Sequence, residues 1–367
     1  MIIKESKITA LLPPSEQNPR NSEGSFLRLD DGRIAFAYSR YTGNSFKDDA
    51  KCEIACIYSH DGGESWNTEQ VETLVNAEEY GQQNVMSVTL RRMNNGDVGL
   101  FFMLKQEEKD SSVYYLRRYK GDFSTPLGEV QVSPRRLTGY YVINNDRVEH
   151  LSDGGWIVAA AYHRTAQFPE ENGKAFDPRA TVYCFRSDDD GFSWHPTAAK
   201  LDLADPYSNS GLQEPGIVEL PGGTLYGFFR TDRSYQYESV SVDGGERWFA
   251  PQPSRFTSPL SPMLIKKNPF SGKYYAIWNP IPDYPGRPKT VGYVTGGRNP
   301  LVISESLDGV RFSSPCTLED DPTRGFCYPA IEFLDEYTLL LAYCSGGKEE
   351  KGNLNRTTIR KLTLERS

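Results

Sequence analysis

The sequence predicts an all-β fold, a six-bladed β-propeller, and three observations support it. A hairpin pattern recurs six times along the 367 residues, and a shorter octapeptide recurs three times in full and once in shortened form. The 32 Gly and 24 Pro are scattered along the chain. Scattered Gly and Pro indicate many turns and not one disordered segment. We therefore expect one propeller domain that spans residues 1–367.

Each copy of the longer repeat is an alternating strand, a tight turn and a strongly apolar strand, as in LRLDDGRIAFAYS. Alternation at period two on both sides of a DG, NG, GG or SG turn is typical of a β-hairpin. The copies begin at positions 27, 90, 150, 219, 268 and 333, so neighbouring starts are 49 to 69 residues apart. This period leaves room for about four strands per unit, which is the size of a propeller blade.

The octapeptide has the frame S-x-D-x-G-x-x-W and begins at Ser59, Ser187 and Ser241, with the shortened copy at Ser306. In this frame the Asp accepts hydrogen bonds from the following backbone N–H groups and the Gly takes a positive φ. The aromatic side chain packs under the turn. The Asp of each copy is therefore expected to be structural and not catalytic.

The two ends of the chain predict how the ring closes. ESKITALL near the start and TTIRKLTLE near the end both have the pattern of strands. One strand from each end could share the last blade. Between these ends, the interval from position 104 to 136 is the least regular and contains no recognisable octapeptide.

Composition excludes several classes of function. The net charge is −8, from 41 basic and 49 acidic side chains, which argues against a nucleic-acid or anionic-membrane partner. No apolar run is long enough to span a bilayer. The six Cys show no metal-ligand spacing, so we expect reduced core thiols, no metal and no cofactor. No secretory signal is visible at the start, and we expect a cytoplasmic protein.

A propeller places the first residues of its innermost strands around one mouth of a central tunnel. The positions just before each hairpin copy are therefore candidates for a site, and they are 20–23, 84–86, 144–147, 213–215, 258–261 and 326–329. Polar residues where the second strand ends join them, namely Arg40, His163, Arg230 and Asn279. For His163 a structural role is favoured over a catalytic one.

With these repeats and positions, the chain resembles the sialidase (neuraminidase) superfamily over nearly its whole length. The octapeptides match the Asp boxes of that superfamily, so the resemblance implies a propeller with Asp-box turns. It also implies an exo-glycosidase that hydrolyses a terminal sialic acid or a related 2-keto sugar acid. The expected partner is a small-molecule or oligosaccharide substrate that carries such a sugar.

The resemblance implies that three Arg bind the substrate carboxylate. Arg20 precedes the opening strand of blade one, Arg230 closes the hairpin of the fourth blade, and Arg298 stands in GGRNPLVIS before the last octapeptide. Arg20 lies in PRNSEGS, whereas the family usually has Arg-Ile-Pro. This departure favours a variant of the reaction.

The catalytic groups implied by the resemblance are a Tyr, a Glu and an Asp. Tyr328 matches the nucleophile at the start of the sixth inner strand, and Glu214 in LQEPGIVEL matches the Glu that assists it. The acid/base matches Asp48 or Asp49 in KDDAK, and the doublet leaves the choice open. A general acid needs a raised pKa, so partial burial or the neighbouring carboxylate is expected to raise the pKa of this Asp.

Other candidates are less specific. Glu23 is expected to orient Arg20, and Arg40 is a further candidate for substrate binding. The run Asn145, Asp146 and Arg147 could bind hydroxyls or the acyl side of the sugar, and the last two could equally form a structural ion pair.

Two alternative functions stay open at this point. One keeps the mechanism and changes the acidic sugar or the acceptor, as in a transferase or an anhydro-forming variant. The other is a sugar-binding propeller without turnover. A lectin would need the Arg residues but no nucleophile, so the Tyr, Glu and Asp favour an enzyme.

Overall fold

The structure, a computed structural model, describes residues 1–106, 111–133, 139–165, 176–281 and 295–365. In these residues the strands form six antiparallel sheets that follow one another in chain order. Strands of neighbouring sheets contact each other around the ring. This arrangement confirms the predicted six-bladed β-propeller. No helix in the described ranges is long and apolar enough to cross a membrane.

Strands are numbered along the chain, beginning with β1 (Ile3–Leu12). Blades 1 and 2 are linked by a short 3-10 helix, Ala77–Tyr80. Blade 1 contains β2 (Arg20–Arg28), β3 (Ile34–Tyr41), β4 (Cys52–Ser59) and β5 (Glu72–Asn76). Blade 2 contains β6 (Val85–Arg92), β7 (Val98–Gln106), β8 (Ser111–Tyr119) and β9 (Pro126–Gln131). Blade 3 contains β10 (Tyr140–Val142), β11 (Glu149–His150), β12 (Trp156–His163), β13 (Thr181–Ser187) and β14 (His195–Leu201).

The remaining three blades follow the same order, from the innermost strand outward. Blade 4 contains β15 (Gln213–Glu219), β16 (Leu225–Arg230), β17 (Tyr235–Ser241) and β18 (Gln252–Thr257). Blade 5 contains β19 (Leu264–Lys267), β20 (Tyr274–Trp278), β21 (Leu301–Ser306) and β22 (Cys316–Glu319). Blade 6 contains β23 (Cys327–Phe333), β24 (Thr338–Cys344) and β25 (Thr357–Leu364), with β1 as its outermost strand.

The ring is closed by strands from the two ends of the chain. β1 pairs antiparallel with β25, from Ile3 opposite Leu364 to Leu12 opposite Thr357. The prediction that the terminal strands share the last blade is therefore confirmed. Because the first strand of the chain lies in the last blade, backbone hydrogen bonds tie the N-terminal segment to the C-terminal one.

Hydrophobic contacts between neighbouring blades form the core. Six clusters of buried side chains lie between the six pairs of adjacent blades. A strand covered on both faces has no reason to alternate between apolar and polar residues. β12 is an example, because both of its faces are covered and all of its residues are buried.

The octapeptide turns have the predicted geometry. Asp61 Oδ1 accepts hydrogen bonds from Ser59 Oγ at 2.8 Å and from the Ser65 N–H at 2.9 Å, while Gly63 has a φ of 84°. The turns at positions 187 and 241 repeat the Ser–Asp bond at 2.9 Å in each case. These turns follow the third strand of a blade, which runs in the same direction as the innermost strand. They therefore lie at the opposite end of the strands from the point where the innermost strands begin.

In each blade, a residue at or just before the innermost strand adopts the left-handed conformation. In four blades it lies at a break in the strand register. Such a bulge turns one side chain away from the plane of the sheet. The six residues, with φ between 45° and 59°, are Glu23, Ser87, Asp146, Glu214, Leu260 and Tyr328. None is a glycine, and a left-handed non-glycine residue costs about 1–3 kcal/mol.

Asp146 connects the blades across the tunnel. Its buried carboxylate accepts hydrogen bonds from Ser25 Oγ at 3.1 Å, Arg91 Nη1 at 2.8 Å and Lys266 Nζ at 2.6 Å. The Ile331 N–H donates to its other oxygen at 3.2 Å. The four partners belong to blades 1, 2, 5 and 6, so one side chain of blade 3 links five blades.

The other mouth of the tunnel holds a cavity of about 590 Å³. It lies at the ends of the innermost strands and is lined by both acidic and basic groups, among them Glu149, Glu332, Arg91 and Lys266. Burial raises the pKa of Glu149 and of Glu332 to about 7, although the nearby cations oppose the shift. Both carboxyl groups therefore titrate near neutral pH.

We expect Asp146→Asn to lower the free energy of unfolding by about 3–5 kcal/mol, because it removes a fully buried carboxylate and leaves the partly buried Arg91 and Lys266 without their counter-charge. Chemical denaturation would measure the loss. Asp31→Asn is the control, because the Asp31–Arg33 pair is exposed and such a pair contributes about 0–1 kcal/mol. Equal stability of the two variants would contradict the role of Asp146.

We expect the contribution of Glu149 and Glu332 to the free energy of unfolding to fall as the pH rises from about 4.5 to about 7. Between the ordinary pKa of 4.5 and the folded value of about 7, the folded protein holds protons that the unfolded chain has released. The double variant Glu149→Gln with Glu332→Gln should flatten this dependence. Unfolding curves across the pH range would test it, and an unchanged slope in the double variant would exclude these two groups as its source.

Candidate active site

A cavity of about 320 Å³ lies at the mouth of the tunnel where the innermost strands begin. Charged and phenolic groups from five blades line it, and they are Glu23, Asp48, Lys105, Glu214, Arg230, Arg298 and Tyr328. One wall is largely apolar and comes from blades 2 and 3, with Met86, Met103, Tyr140, Val142 and Phe176. The cavity thus has a charged side and an apolar side.

Tyr328, Glu214 and Arg230 form a hydrogen-bonded chain in this cavity. The Tyr328 hydroxyl donates to Glu214 Oε1 at 2.7 Å, and Arg230 Nη1 donates to the same oxygen at 2.6 Å. Burial opposes ionisation of Glu214, but Arg230 and Arg298 outweigh it and hold the pKa of Glu214 below its ordinary value. Burial and the Glu214 charge raise the pKa of Tyr328 well above its ordinary value. The pair is therefore a neutral phenol bonded to a carboxylate.

Arg298 lies beside this pair. Its guanidinium is 5.4 Å from the centre of the Tyr328 ring, and Nη1 donates to Cys327 Sγ at 3.1 Å. Burial disfavours the Cys327 thiolate, but Cys344 and Arg298 lower the pKa of this thiol to about 7. Cys327, which precedes Tyr328 in the chain, thus holds Arg298 in place.

Arg20 is buried and its donors are largely used within the protein. Nε donates to Ser22 Oγ at 2.9 Å, Nη2 donates to Glu23 Oε1 at 2.9 Å, and Nη1 donates to Asp48 Oδ1 at 2.5 Å. The guanidinium also stacks on the Tyr41 ring at 4.4 Å. Arg20 is 2% exposed and lies behind the groups that line the cavity. Glu23 contacts Arg20 as expected.

The two members of the Asp doublet differ in position. Asp48 lines the cavity and Asp49 does not. The Asp48 side chain is 69% exposed at the rim of the cavity. Its partial desolvation favours the neutral form, but Arg20, Lys105 and Arg298 outweigh this effect and lower its pKa. The expectation of a raised pKa was therefore wrong for Asp48 in the protein without ligand. Three cations nearby decide the shift, and the sequence doublet does not.

Two of the remaining candidates have contacts outside the cavity lining. Arg40 Nη1 donates to Glu53 Oε1 at 3.1 Å on the neighbouring strand. Asn145 is fully buried, and its Nδ2 donates to the Gly24 carbonyl at 2.8 Å. It also reaches the Tyr328 carbonyl at 3.5 Å, so it links blade 3 to blades 1 and 6.

Asp146 and Arg147 also lie below the cavity. Asp146 pairs with Arg91 and Lys266 and not with its neighbour Arg147. The Arg147 N–H donates to Thr89 Oγ1 at 3.1 Å, and its Nη2 donates to a backbone carbonyl of blade 5, that of residue 263. The pairing of Asp146 with Arg147 was therefore wrong, because the tunnel offers each of them partners from other blades.

Two of the candidates at strand ends, His163 and Asn279, contact backbone carbonyl groups. His163 lines the cavity, with Nδ1 2.9 Å from the Asp177 carbonyl, and burial lowers its pKa. Asn279 is fully buried and donates to the Pro300 carbonyl at 2.8 Å.

Sequence reasoning missed Lys105 and most of the apolar wall, of which only Met86 lies among the candidate positions 84–86. Lys105 stands near the end of β7, the second strand of blade 2, which is the same position in its blade as Arg40 and Arg230. The rule that selected those two would have found it. The rest of the apolar wall had no such signal. Tyr140 opens the three-residue strand β10 and Phe176 lies in the connection between β12 and β13, and the repeat pattern sets the place of neither.

The geometry supports proton transfer at a phenol next to an anion-binding surface. Glu214 Oε2 is buried and has no hydrogen-bond partner among the described residues, so this carboxylate can accept another proton. The guanidinium groups of Arg230 and Arg298 can donate paired hydrogen bonds to a carboxylate. In the described ranges, no group of three His, Cys, Asp or Glu side chains is placed to hold a metal ion.

Comparison with known proteins gives a family and a fold. The family model described as BNR repeat-like domain matches residues 32–337. No curated protein sequence matches the chain. A protein of unknown function from Dyadobacter fermentans has a similar structure, with a TM-score of 0.71 and 15% identity over 98% of this chain and 100% of that one.

Solved sialidases have the same fold at low identity. The NanB sialidase of Streptococcus pneumoniae gives a TM-score of 0.67 and 13% identity over 98% of this chain and 70% of that one. The intramolecular trans-sialidase of Ruminococcus gnavus gives a TM-score of 0.66 and 12% identity, and 94% of each chain is covered. At such identity the likeness concerns the fold.

We expect Glu214→Gln to lower the pKa of the Tyr328 hydroxyl, because the carboxylate charge that disfavours the phenolate is removed while Arg230 and Arg298 remain. Nuclear magnetic resonance titration of isotope-labelled tyrosine would measure it, with Tyr328→Phe to assign the signal. Glu238→Gln is the control, because Glu238 pairs with a different phenol, that of Tyr226. An unchanged Tyr328 titration would show that Glu214 does not govern this proton.

Proposed function

Because this chain belongs to the BNR repeat-like domain family, within the superfamily of sialidase-like propellers, we propose that it is a retaining exo-glycosidase. Its substrate is a glycoside with a terminal sialic acid or a related 2-keto sugar acid. Tyr328 attacks the anomeric carbon. The observation that supports this most is the 2.7 Å hydrogen bond from the Tyr328 hydroxyl to Glu214 in a cavity that also holds two Arg.

A neutral phenol suits this substrate better than a carboxylate nucleophile does. The carbon under attack carries the substrate carboxylate, so a second carboxylate about 4 Å away would suffer a repulsion of about 4 kcal/mol at an effective dielectric of 20. That repulsion corresponds to about a thousandfold in rate. The phenol avoids this repulsion, and sialidases are a known exception to attack by a carboxylate.

Glu214 activates the phenol. The pKa of Tyr328 lies well above its ordinary value, so the hydroxyl is protonated before attack. The pKa of Glu214 is lowered, so this carboxylate is free to take the proton as the Oη–carbon bond forms. Because the positive charge of Arg230 offsets the negative charge of the Glu214 carboxylate, Glu214 repels the incoming substrate carboxylate less.

The substrate carboxylate binds to Arg298 and Arg230. Each charge-assisted hydrogen bond contributes about 1.5–3 kcal/mol, and both guanidinium groups line the cavity. Arg20 lies behind Glu23 and Asp48 and acts on the substrate through its charge. This set of cations lets a protein with a net charge of −8 bind an anion.

Asp48 is the acid/base group of the proposed reaction. In the free protein Arg20, Lys105 and Arg298 lower its pKa. A bound substrate carboxylate offsets these cations, which raises the pKa of Asp48 and lets it protonate the leaving oxygen. In the second half of the reaction the Asp48 carboxylate takes a proton from water. That water displaces Tyr328 from the anomeric carbon, the leaving phenolate takes back the proton that Glu214 holds, and the configuration is retained.

The proposed function is tested by release of a fluorophore from an α-linked aryl sialoside. We expect Tyr328→Phe to lower the rate by about a thousandfold or more, because the nucleophile is lost. Tyr58→Phe is the matched control, because the Tyr58 hydroxyl bonds to Glu72 on the outer strands of blade 1. Equal rates for the native chain and Tyr328→Phe would remove Tyr328 from the mechanism.

A folded native protein without turnover would overturn hydrolysis of ordinary sialosides. Turnover with another ulosonic acid, or transfer to a sugar acceptor, would keep the mechanism and change the substrate. Binding of an acidic sugar without any turnover would point to a sugar-binding propeller.

A further inference from the structure

The loop at residues 42–51, which joins β3 to β4 and carries Asp48, is held from two blades. Arg20 of blade 1 donates to the Asp48 carboxylate at 2.5 Å. From blade 2, Asn84 Nδ2 donates to the Asp48 carbonyl at 3.1 Å and to the Ala50 carbonyl at 2.6 Å. Lys105 Nζ donates to the same Asp48 carbonyl.

The contacts of Lys105 do not account for its positive charge. Its ammonium lines the cavity, and among the described residues it contacts a backbone carbonyl and the face of the Tyr140 ring, whose centre is 5.5 Å away. Neither group carries a net charge. Asn84 already bonds to the same carbonyl with a neutral amide, so holding the loop does not by itself require a cation. The role of the positive charge of Lys105 therefore lies in its effect on the charged groups nearby.

The groups around Asp48 come from several elements. On the acid's own side of the cavity lie Arg20 and Glu23 of β2 and the Tyr41 phenol of β3. The facing elements contribute Lys105 of β7, the Tyr140 phenol of β10 and Arg298 before β21. Lys105 is the cation that blade 2 contributes to this set.

We propose that Lys105 is a positioning residue for Asp48. Through the Asp48 carbonyl it fixes the loop at the rim of the cavity, and through its charge it keeps the Asp48 carboxylate ionised and paired with Arg20 until an anionic substrate enters. This inference rests on the proposed function for its catalytic consequence. Its electrostatic part holds in the free protein.

The two pKa shifts of the pair agree with this role. Lys105 lowers the pKa of Asp48. Burial lowers the pKa of Lys105, and the Asp48 charge opposes that effect. Each group therefore favours the charged form of the other. When a substrate carboxylate takes over as counter-charge to the cations, Asp48 can bind the proton that the leaving oxygen needs.

The test compares Lys105→Met with Lys105→Arg. The first keeps the length of the side chain and removes the charge, and the second keeps the charge. We expect the descending limb of the pH profile of kcat/KM to move to higher pH in Lys105→Met and to stay in place in Lys105→Arg. This limb reports the proton on Asp48 in the free protein. Lys51→Met is the matched control, because exposed Lys51 on the same loop pairs with Glu78.

A second readout needs no substrate. The Asp48 carboxyl is titrated in the ligand-free protein by nuclear magnetic resonance, and we expect a higher pKa in Lys105→Met than in the native chain or in Lys105→Arg. A shifted titration without turnover by any variant would support Lys105 and overturn the proposed function. Turnover with an unmoved limb and an unmoved titration would overturn the role of Lys105. A lower rate at every pH with both unchanged would reduce it to a structural bond.

Discussion

The buried carboxylate of Asp146 is the interaction on which the rest of this structure depends. A closed ring of blades leaves a tunnel, and the polar groups that face it must bind to each other because they are removed from water. Asp146 accepts bonds from Ser25, Arg91, Lys266 and the Ile331 N–H. A carboxylate has enough acceptor positions to serve all of these donors at once. It therefore fixes the distance between blades at the level just below the candidate active site.

The site above it depends on a repeated backbone feature. Each innermost strand has a left-handed residue at or near its start, and in four blades a register break accompanies it. Glu23, Glu214 and Tyr328 are three of these residues, and all three line the cavity. An unbroken strand would place its side chains alternately towards the two neighbouring blades. The left-handed residue therefore lets a strand bring a functional group to the mouth of the tunnel.

Charge balance decides how the site is used. Lys105, Arg230 and Arg298 line the cavity together with Glu23, Asp48 and Glu214, so in the free protein cations and carboxylates offset one another. An anion that enters this balance replaces a carboxylate as the partner of a cation, and the released carboxylate then binds protons more strongly. In the proposed reaction, the cations that bind the substrate carboxylate thus also prepare the acid.

The sequence by itself determined the number of blades, the hairpins, the closing strands and the octapeptide turns, because each depends on local alternation and turn chemistry repeated along the chain. It also placed Tyr328, Glu214 and Arg230 at strand ends that meet in one cavity. Only the tertiary structure decided that Asp48 and not Asp49 lines the cavity and that Arg20 is buried behind it. These outcomes depend on which side chains of other blades lie within a few ångströms, and a repeat pattern fixes the strands but not the distances across the tunnel.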